Sequence, residues 1–313
     1  MQLRPVRGID VLPNRRRRKW QNKESGEIIP RRRPVYPMTA ERELSRVTLA
    51  YMNMVIKVSQ PVINSVMRAY EERESYRTDD AGDYISSVRG MRFRVAEKLS
   101  EKTGAMKKIE KGYEFSGSLA KKHSIDDWNE QVKDALGMQV NREYYEDSMK
   151  YLVDNWIKTN VSKIQSIPAE YLSQVEEIIR WGYETHQPKV NVYKRLEKLI
   201  GLERSKAIAI GRDQMGTLDY ELTRYEHESA GVSKYKWITR RDDRVRDCHR
   251  MLHGTIQNWN NPPADWYMTK SRGIVYTGKY YHPGQAIGCR CKAQAVFDLA
   301  GAKELLRQKF RPL

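Results

Sequence analysis

The sequence predicts an α+β protein: a mostly helical body, a small C-terminal α+β module and a disordered basic N-terminal arm. Three observations carry that expectation. Apolar residues recur at helical spacing over most of residues 39–225. Alternating, β-like runs occur only in the last third, where glycine and proline crowd together. The first 38 residues hold charge and proline but few apolar side chains, too few to offset the entropy of ordering them. The expected divisions are an arm over 1–38, a helical body over 39–200, the module over 201–298 and a basic tail over 299–313.

The arm contains Arg15, Arg16, Arg17, Arg18 and Lys19, then Arg31, Arg32 and Arg33. Pro5, Pro13, Pro30, Pro34 and Pro37 interrupt any regular element. Residues 1–34 hold eleven Lys/Arg against three Asp/Glu, a net of +8 within a chain of net +17. Such a balance speaks about partners rather than fold. It points to a polyanion: nucleic acid first, then an acidic protein surface or an anionic membrane. The two arginine blocks are suited to following a phosphate backbone without reading bases. Trp20 beside Lys19 offers a ring for stacking on an unpaired base.

The body starts at Thr39, an N-cap before acidic first-turn residues. Leu44, Val47, Met52, Val55, Ile63 and Val66 give the first helix its stripe, and Pro61 predicts a kink or break in it. Ile85 to Leu99 predicts a second helix, weakened by Gly90. Gly104 to His123 is rich in lysine and glycine and shows no clear pattern. Ser124 resembles a capped start, and a long helical segment follows through Tyr144, Trp156 and Val161. Pro168 suits the first turn of the next helix. Val192–Leu199 and Ala207–Tyr225 predict two more. These stripes are expected to form helix-on-helix core.

The module pattern begins near Gly231. Tyr235, Trp237 and Ile238 form a short strand, Arg244–Leu252 a helical turn ended by Gly254, and Cys291–Phe297 a final strand. Between them lies an extended loop, Gly254–Gln285, with Pro262, Pro263, Trp259, Trp266 and Tyr267. No internal repeat is visible. No apolar run approaches the roughly 18 residues of a spanning helix, and no secretory h-region follows Met1. A soluble product made in a cytoplasm is therefore expected.

All three cysteines, Cys248, Cys289 and Cys291, lie in the module. So small and odd a number argues against a disulfide framework. Cys289 and Cys291 would face one side of a strand. With Cys248 and His249 they supply three thiolates and an imidazole, enough for a closed structural zinc site, and His253 and His282 are close in sequence. Zinc sites favour wider spacing than Cys-x-Cys, so reduced, buried thiols remain the competing reading. No His-Glu-x-x-His, phosphate loop, Gly-x-Ser-x-Gly or Gly-x-Gly-x-x-Gly occurs. Arg212, Asp213, Trp237, Asp243, Arg244, Arg246, His249 and Arg290 are expected to lock the module as a buried network. The competing reading is a phosphate-binding surface, which suits arginine.

The order of short motifs is more telling than any one of them. Arg212-Asp213-Gln214 ends a helix; Gly231, Tyr235 and Trp237 follow as G-x-x-x-Y-x-W. An Asp-x-Arg-x-Arg-x-x-His turn ends at His249, and Pro283-Gly284 and Cys289-Arg290-Cys291 close the series. Ile167-Pro168-Ala169-Glu170 and Trp181-Gly182 precede it. Over residues 165–298 the chain resembles Mu F-like minor head proteins, the phage head-morphogenesis family. Gly211 departs from the alanine more usual there. The resemblance implies a non-enzymatic virion component of a tailed phage, a minor capsid protein acting in head assembly. It would contact the phage portal, the major capsid protein, or both, and double-stranded DNA without base specificity, with no membrane in that role. It implies a place in the head interior or at the portal vertex, and the host cytoplasm during assembly. Some members carry a fused toxin or transferase; with fifteen residues after the module, none is expected here. The alternative is a metal-dependent nuclease or other DNA-processing enzyme, with His249 and His253 as metal ligands.

Overall fold

The computed structural model describes residues 9–11, 26–75 and 81–298. The cluster Arg15–Lys19 and the tail 299–313 lie outside them. The helices are α1 (Met38–Ser75), α2 (Ala81–Ser100), α3 (Thr103–Leu136), α4 (Arg142–Gln165), α5 (Ile167–Glu184), α6 (Lys189–Ser229) and the short α7 (Asp247–Leu252). The strands are β1 (Ile9–Val11), β2 (Glu27–Ile28), β3 (Met138–Val140), β4 (Lys234–Ile238), β5 (Ile256–Asn258), β6 (Ala264–Thr269), β7 (Gly273–Tyr280) and β8 (Lys292–Asp298). The protein is thus a predominantly helical body with a strand-rich C-terminal α+β module.

The chain forms two compact units. The all-helical one comprises Arg42–Phe115 and Ile157–Arg212. Its core takes Met52, Val55, Ile63 and Met67 from α1, Met91 and Val95 from α2, and Tyr171, Val175 and Ile179 from α5. All but Met67 and Tyr171 are residues whose spacing predicted helices, and burying that face is what holds each helix in place. Arg92 on α2 meets Glu176 on α5 at 2.6 Å, and Arg180 meets the same carboxylate at 2.5 Å. Gly211 on α6 is needed here: a Cβ would lie 2.8 Å from the Ser45 Cα. The helix backbones therefore touch where an alanine would clash.

The second unit comprises Met1–Glu41, Ser116–Trp156 and Asp213–Leu313. Its main sheet is antiparallel, in the order β2-β8-β4-β5. Trp237 stands opposite Ala293, and Tyr235 opposite Ala295. Large rings thus face small side chains across the pair. Tyr220, Tyr235, Trp237 and Trp259 form one core with Cys289 and Cys291. Trp128 of α3 stacks on Phe297 of β8, which lies on the same face of the strand as Ala293 and Ala295.

Several local expectations change. Pro61 does not break α1, which runs continuously through it. Packing of Val62 and Ile63 in the core outweighs the missing hydrogen bond. Ser124 is no cap: it lies within α3, and its hydroxyl donates to Glu226 at 2.8 Å. The patternless Gly104–His123 segment is the first part of that helix. Its glycines serve packing, since a Cβ at Gly117 would meet Val153 at 2.7 Å. Val192–Leu199 and Ala207–Tyr225 are one helix, α6. The Gly254–Gln285 loop contains three strands, β5, β6 and β7. Residues 26–37 of the expected arm are tied down: Gln294 donates to the carbonyls of Pro30 and Arg32, at 2.7 and 2.9 Å. The Asp134 carboxylate accepts the Arg31 and Arg32 backbone N–H groups.

Candidate metal centre

Two short segments build the centre. His249 sits in the first turn of α7, buried with its ring 5.1 Å from that of Trp237. Cys289 and Cys291 lie in the connection that leads into β8, with both sulfurs buried. The connection is held from several sides. The Gly288 N–H donates to Asp213 on α6 at 2.8 Å, Arg246 donates to the Ile287 carbonyl at 2.6 Å, and Arg290 donates to Asp242 at 2.9 Å. Gly216 on α6 makes room for this turn, because a Cβ there would lie 2.9 Å from the Cys289 carbonyl oxygen.

The two sulfurs converge on one nitrogen. Cys289 Sγ lies 3.6 Å and Cys291 Sγ 3.7 Å from His249 Nδ1. Tetrahedral zinc, bonded to sulfur at about 2.3 Å and to imidazole at about 2.0 Å, holds those atoms about 3.5 Å apart. The spacing therefore fits zinc with little rearrangement. The Cys289 sulfur also accepts the backbone N–H groups of Gly284 and Cys291, both at 3.4 Å. Hydrogen bonding from Cys291 and from His249 holds Cys289 well below the usual thiol range despite its burial. Cys291 is pushed up by its hydrogen bond to Cys289 and by burial. Two sulfurs and an imidazole form a donor set that suits a soft or borderline cation.

Of the four residues expected to bind zinc, these three come together. Cys248 instead joins a second group with His249 and Asp265, in which its sulfur lies 3.4 Å from Asp265 Oδ1. Asp265 carried no signal in the sequence, since only the fold brings β6 to α7. His253 and His282 stand outside both groups. His253 Nδ1 accepts the Thr239 N–H at 3.0 Å, and His282 Nδ1 lies 2.7 Å from the Tyr235 hydroxyl.

The expected structural network is drawn differently. Asp242, not Asp243, pairs with Arg290, and Asp243 is exposed beside it. Arg212 is half-buried on α6. Arg31, Arg32 and Arg33 are exposed. Above the Cys-His cluster opens a cavity of about 80 Å³, lined by Arg240, Arg244, Arg246 and Arg290 together with Asp242. His249, Cys289 and Cys291 line it too, so the candidate ligands and the four arginines border one space.

This geometry corrects the expectation of a non-enzymatic protein. Ligand atoms of His249, Cys289 and Cys291, and separately of Cys248, His249 and Asp265, lie within 4.8 Å of one another. Two sulfurs and one imidazole leave a tetrahedral position open, which is the pattern of a catalytic rather than a closed structural site. The closed four-ligand reading counted Cys248 with the other two cysteines, whereas its sulfur turns to Asp265.

Fold and cluster together define a helical protein with a metal-competent α+β module. Residues 175–294 match the family model of Phage Mu protein F like protein. A curated protein of Haemophilus influenzae, described as an uncharacterized protein, is 27% identical over 258 residues, covering 81% of this chain and 54% of the relative. The chain therefore spans about half the length of that relative. No solved structure matches the chain significantly. Among the described residues, no helix is long and apolar enough to cross a membrane.

Proposed function

We propose that the chain is a phage Mu F-like head protein whose module is a metal-dependent enzyme acting on DNA phosphodiesters. One observation carries this reading: His249, Cys289 and Cys291 share a cavity with four arginines. Arginine forks match phosphate oxygens two at a time. Here three of the four are held in advance. Asp242 fixes Arg290 and lies 3.6 Å from Arg240, and the Ile287 carbonyl fixes Arg246. Arginine contacts to phosphate carry no base information, so recognition would be independent of sequence. A bound zinc would supply a Lewis acid beside that phosphate. The chain's own part is to orient the phosphate against the ligand cluster and to exclude bulk water through the buried Trp237 face.

The context proposed with it is the phage head. The protein would join during assembly in the host cytoplasm, contact portal or major capsid protein, and meet packaged double-stranded DNA inside the virion. The net charge of +17 supports a polyanionic partner. The cluster Arg15–Lys19 and the exposed Arg31, Arg32 and Arg33 would add sequence-independent phosphate contacts. The test is incubation of purified protein with duplex DNA and Zn²⁺, Mg²⁺ or Mn²⁺. Cleavage is expected, and it should vanish with chelator and in His249→Ala. Metal-loaded protein that leaves DNA intact with all three ions would overturn the enzymatic reading.

A further inference from the structure

The β6–β7 hairpin stands apart from the main sheet; among the described residues its strands pair only with each other. Trp266 lies opposite Tyr276, and Met268 opposite Ile274. Side chains alternate across a strand, so these four share one face. Met268, Ile274 and Tyr276 are 56%, 47% and 67% exposed. A contiguous apolar face left in water marks a contact surface. The turn beyond it carries Lys270 and Arg272, and Lys279 follows on β7. Asp265 is the one carboxylate in residues 264–280, and it is already engaged by Thr277 at 3.1 Å and Cys248 at 3.4 Å. The hairpin's base is therefore fixed to the helix that bears His249, while its far end is apolar and cationic.

We infer that this hairpin is an arm that enters a groove of duplex DNA and seats the duplex against the metal centre. The choice of DNA as polyanion rests on the function proposed above, but the binding does not require the metal. The dimensions agree. The major groove is about 12 Å wide and about 8.5 Å deep and admits a two-stranded ribbon. From Asp265 to Lys270 the strand advances about 17 Å at roughly 3.3 Å per residue, so the tip reaches past the groove floor's depth. Lys270, Arg272 and Lys279 would meet phosphates, and Met268, Ile274 and Tyr276 would pack on sugars and thymine methyls. An anionic bilayer offers the same charge but not the same solvent. Both outer edges of a two-stranded ribbon carry unpaired backbone N–H and C=O groups, which hydrocarbon cannot satisfy and a wet groove can.

The test uses the full chain, a labelled random-sequence duplex and a salt series, with chelator present. Lys270→Glu/Arg272→Glu should lower the slope of log affinity against log salt by about two, at roughly 0.9 per phosphate contact. Met268→Ser/Ile274→Ser should weaken binding about tenfold with the slope unchanged, since it removes apolar contact alone. Both variants should melt like the wild type, their side chains being exposed. Wild-type DNA affinity in both would overturn the inference. So would loss of binding to anionic phospholipid vesicles in both variants with DNA binding intact. Hairpin-dependent binding by a protein that never cleaves DNA would sink the enzymatic reading and leave the arm standing. Cleavage by wild type, with DNA affinity unchanged in both variants, would do the reverse.

Discussion

The sulfur of Cys289 lies 3.6 Å from Nδ1 of His249, across forty residues of sequence. An S–H···N hydrogen bond alone would account for one such contact. It does not account for Cys291 reaching the same nitrogen at 3.7 Å. Two sulfurs on one nitrogen is the arrangement a cation would organise. Protein purified without added metal is expected to carry about one zinc per chain, lost in Cys289→Ser. Removing it should lower stability by about 2.7 kcal/mol where free zinc had exceeded Kd about a hundredfold. Elemental analysis and melting in chelator measure both. A metal-free protein with unchanged melting would reject the centre.

Arg290 is 11% exposed on its side chain, and its carboxylate partner is Asp242. Asp242→Ala strands a largely buried guanidinium and should cost about 1–3 kcal/mol. Asp243 is exposed, so Asp243→Ala should stay within about 0.5 kcal/mol. Paired urea titrations distinguish them. Equal losses would mean that the network is wrongly drawn.

The helical body was legible because its core faces repeat locally: Met52, Val55, Ile63 and Val66 show their spacing without any knowledge of their partners. The breaks were less legible. Pro61 and Ser124 carry strong local signals, and tertiary packing overrides both. The hairpin β6–β7 hid in a proline-aromatic stretch because both its faces are largely solvated and it lacks alternation. At the site, the cysteines and His249 could be read from clustering, whereas Asp265 could not, since its approach to Cys248 depends on the pairing of distant strands. The carboxylate facing Arg290 was within reach: counting the Asp-x-Arg-x-Arg-x-x-His spacing back from His249 lands on Asp242, not Asp243.

Stability should fall on mild acidification through His282. Burial, then the nearby Arg224, depress this imidazole to about 4. Its Nδ1 lies 2.7 Å from the hydroxyl of Tyr235, whose own ionisation is pushed up by burial. Because the folded value is depressed, its contribution is full above the unfolded value of about 6.5 and is lost as pH falls towards about 4. At pH 5 the loss is about 2 kcal/mol. His227, buried and depressed to about 3, acts in the same direction. Asp219 and Glu226, both raised by burial, act oppositely, losing their contribution as pH rises through their folded values. His282→Asn should therefore flatten the change in melting temperature between about pH 7 and pH 5. An unaltered pH profile would mean that His282 does not titrate on unfolding.

Lys292 opens the strand that follows Cys291, and its ammonium is enclosed. It donates to Asp219 at 2.7 Å and to Thr223 at 2.9 Å, with side chains 7% and 3% exposed in the ion pair. Burial alone would lower this lysine, but Asp219, Asp127 and Glu226 together hold it up. One cation thus serves several buried carboxylates, which burial in turn pushes up. Lys292→Met removes that shared charge and should cost about 3–5 kcal/mol, since it leaves uncompensated acids in the core. Pairing it with Asp219→Leu should return most of the loss, because an apolar pair of similar volume replaces a buried ion pair at little cost. The coupling between the two substitutions, measured by denaturation of all four proteins of the cycle, should then reach about 2 kcal/mol or more. Additive losses would place the stabilisation elsewhere, in lost packing of the lysine stem. Restored stability should also bring back zinc retention, because β8 carries the backbone from which Cys291 is held.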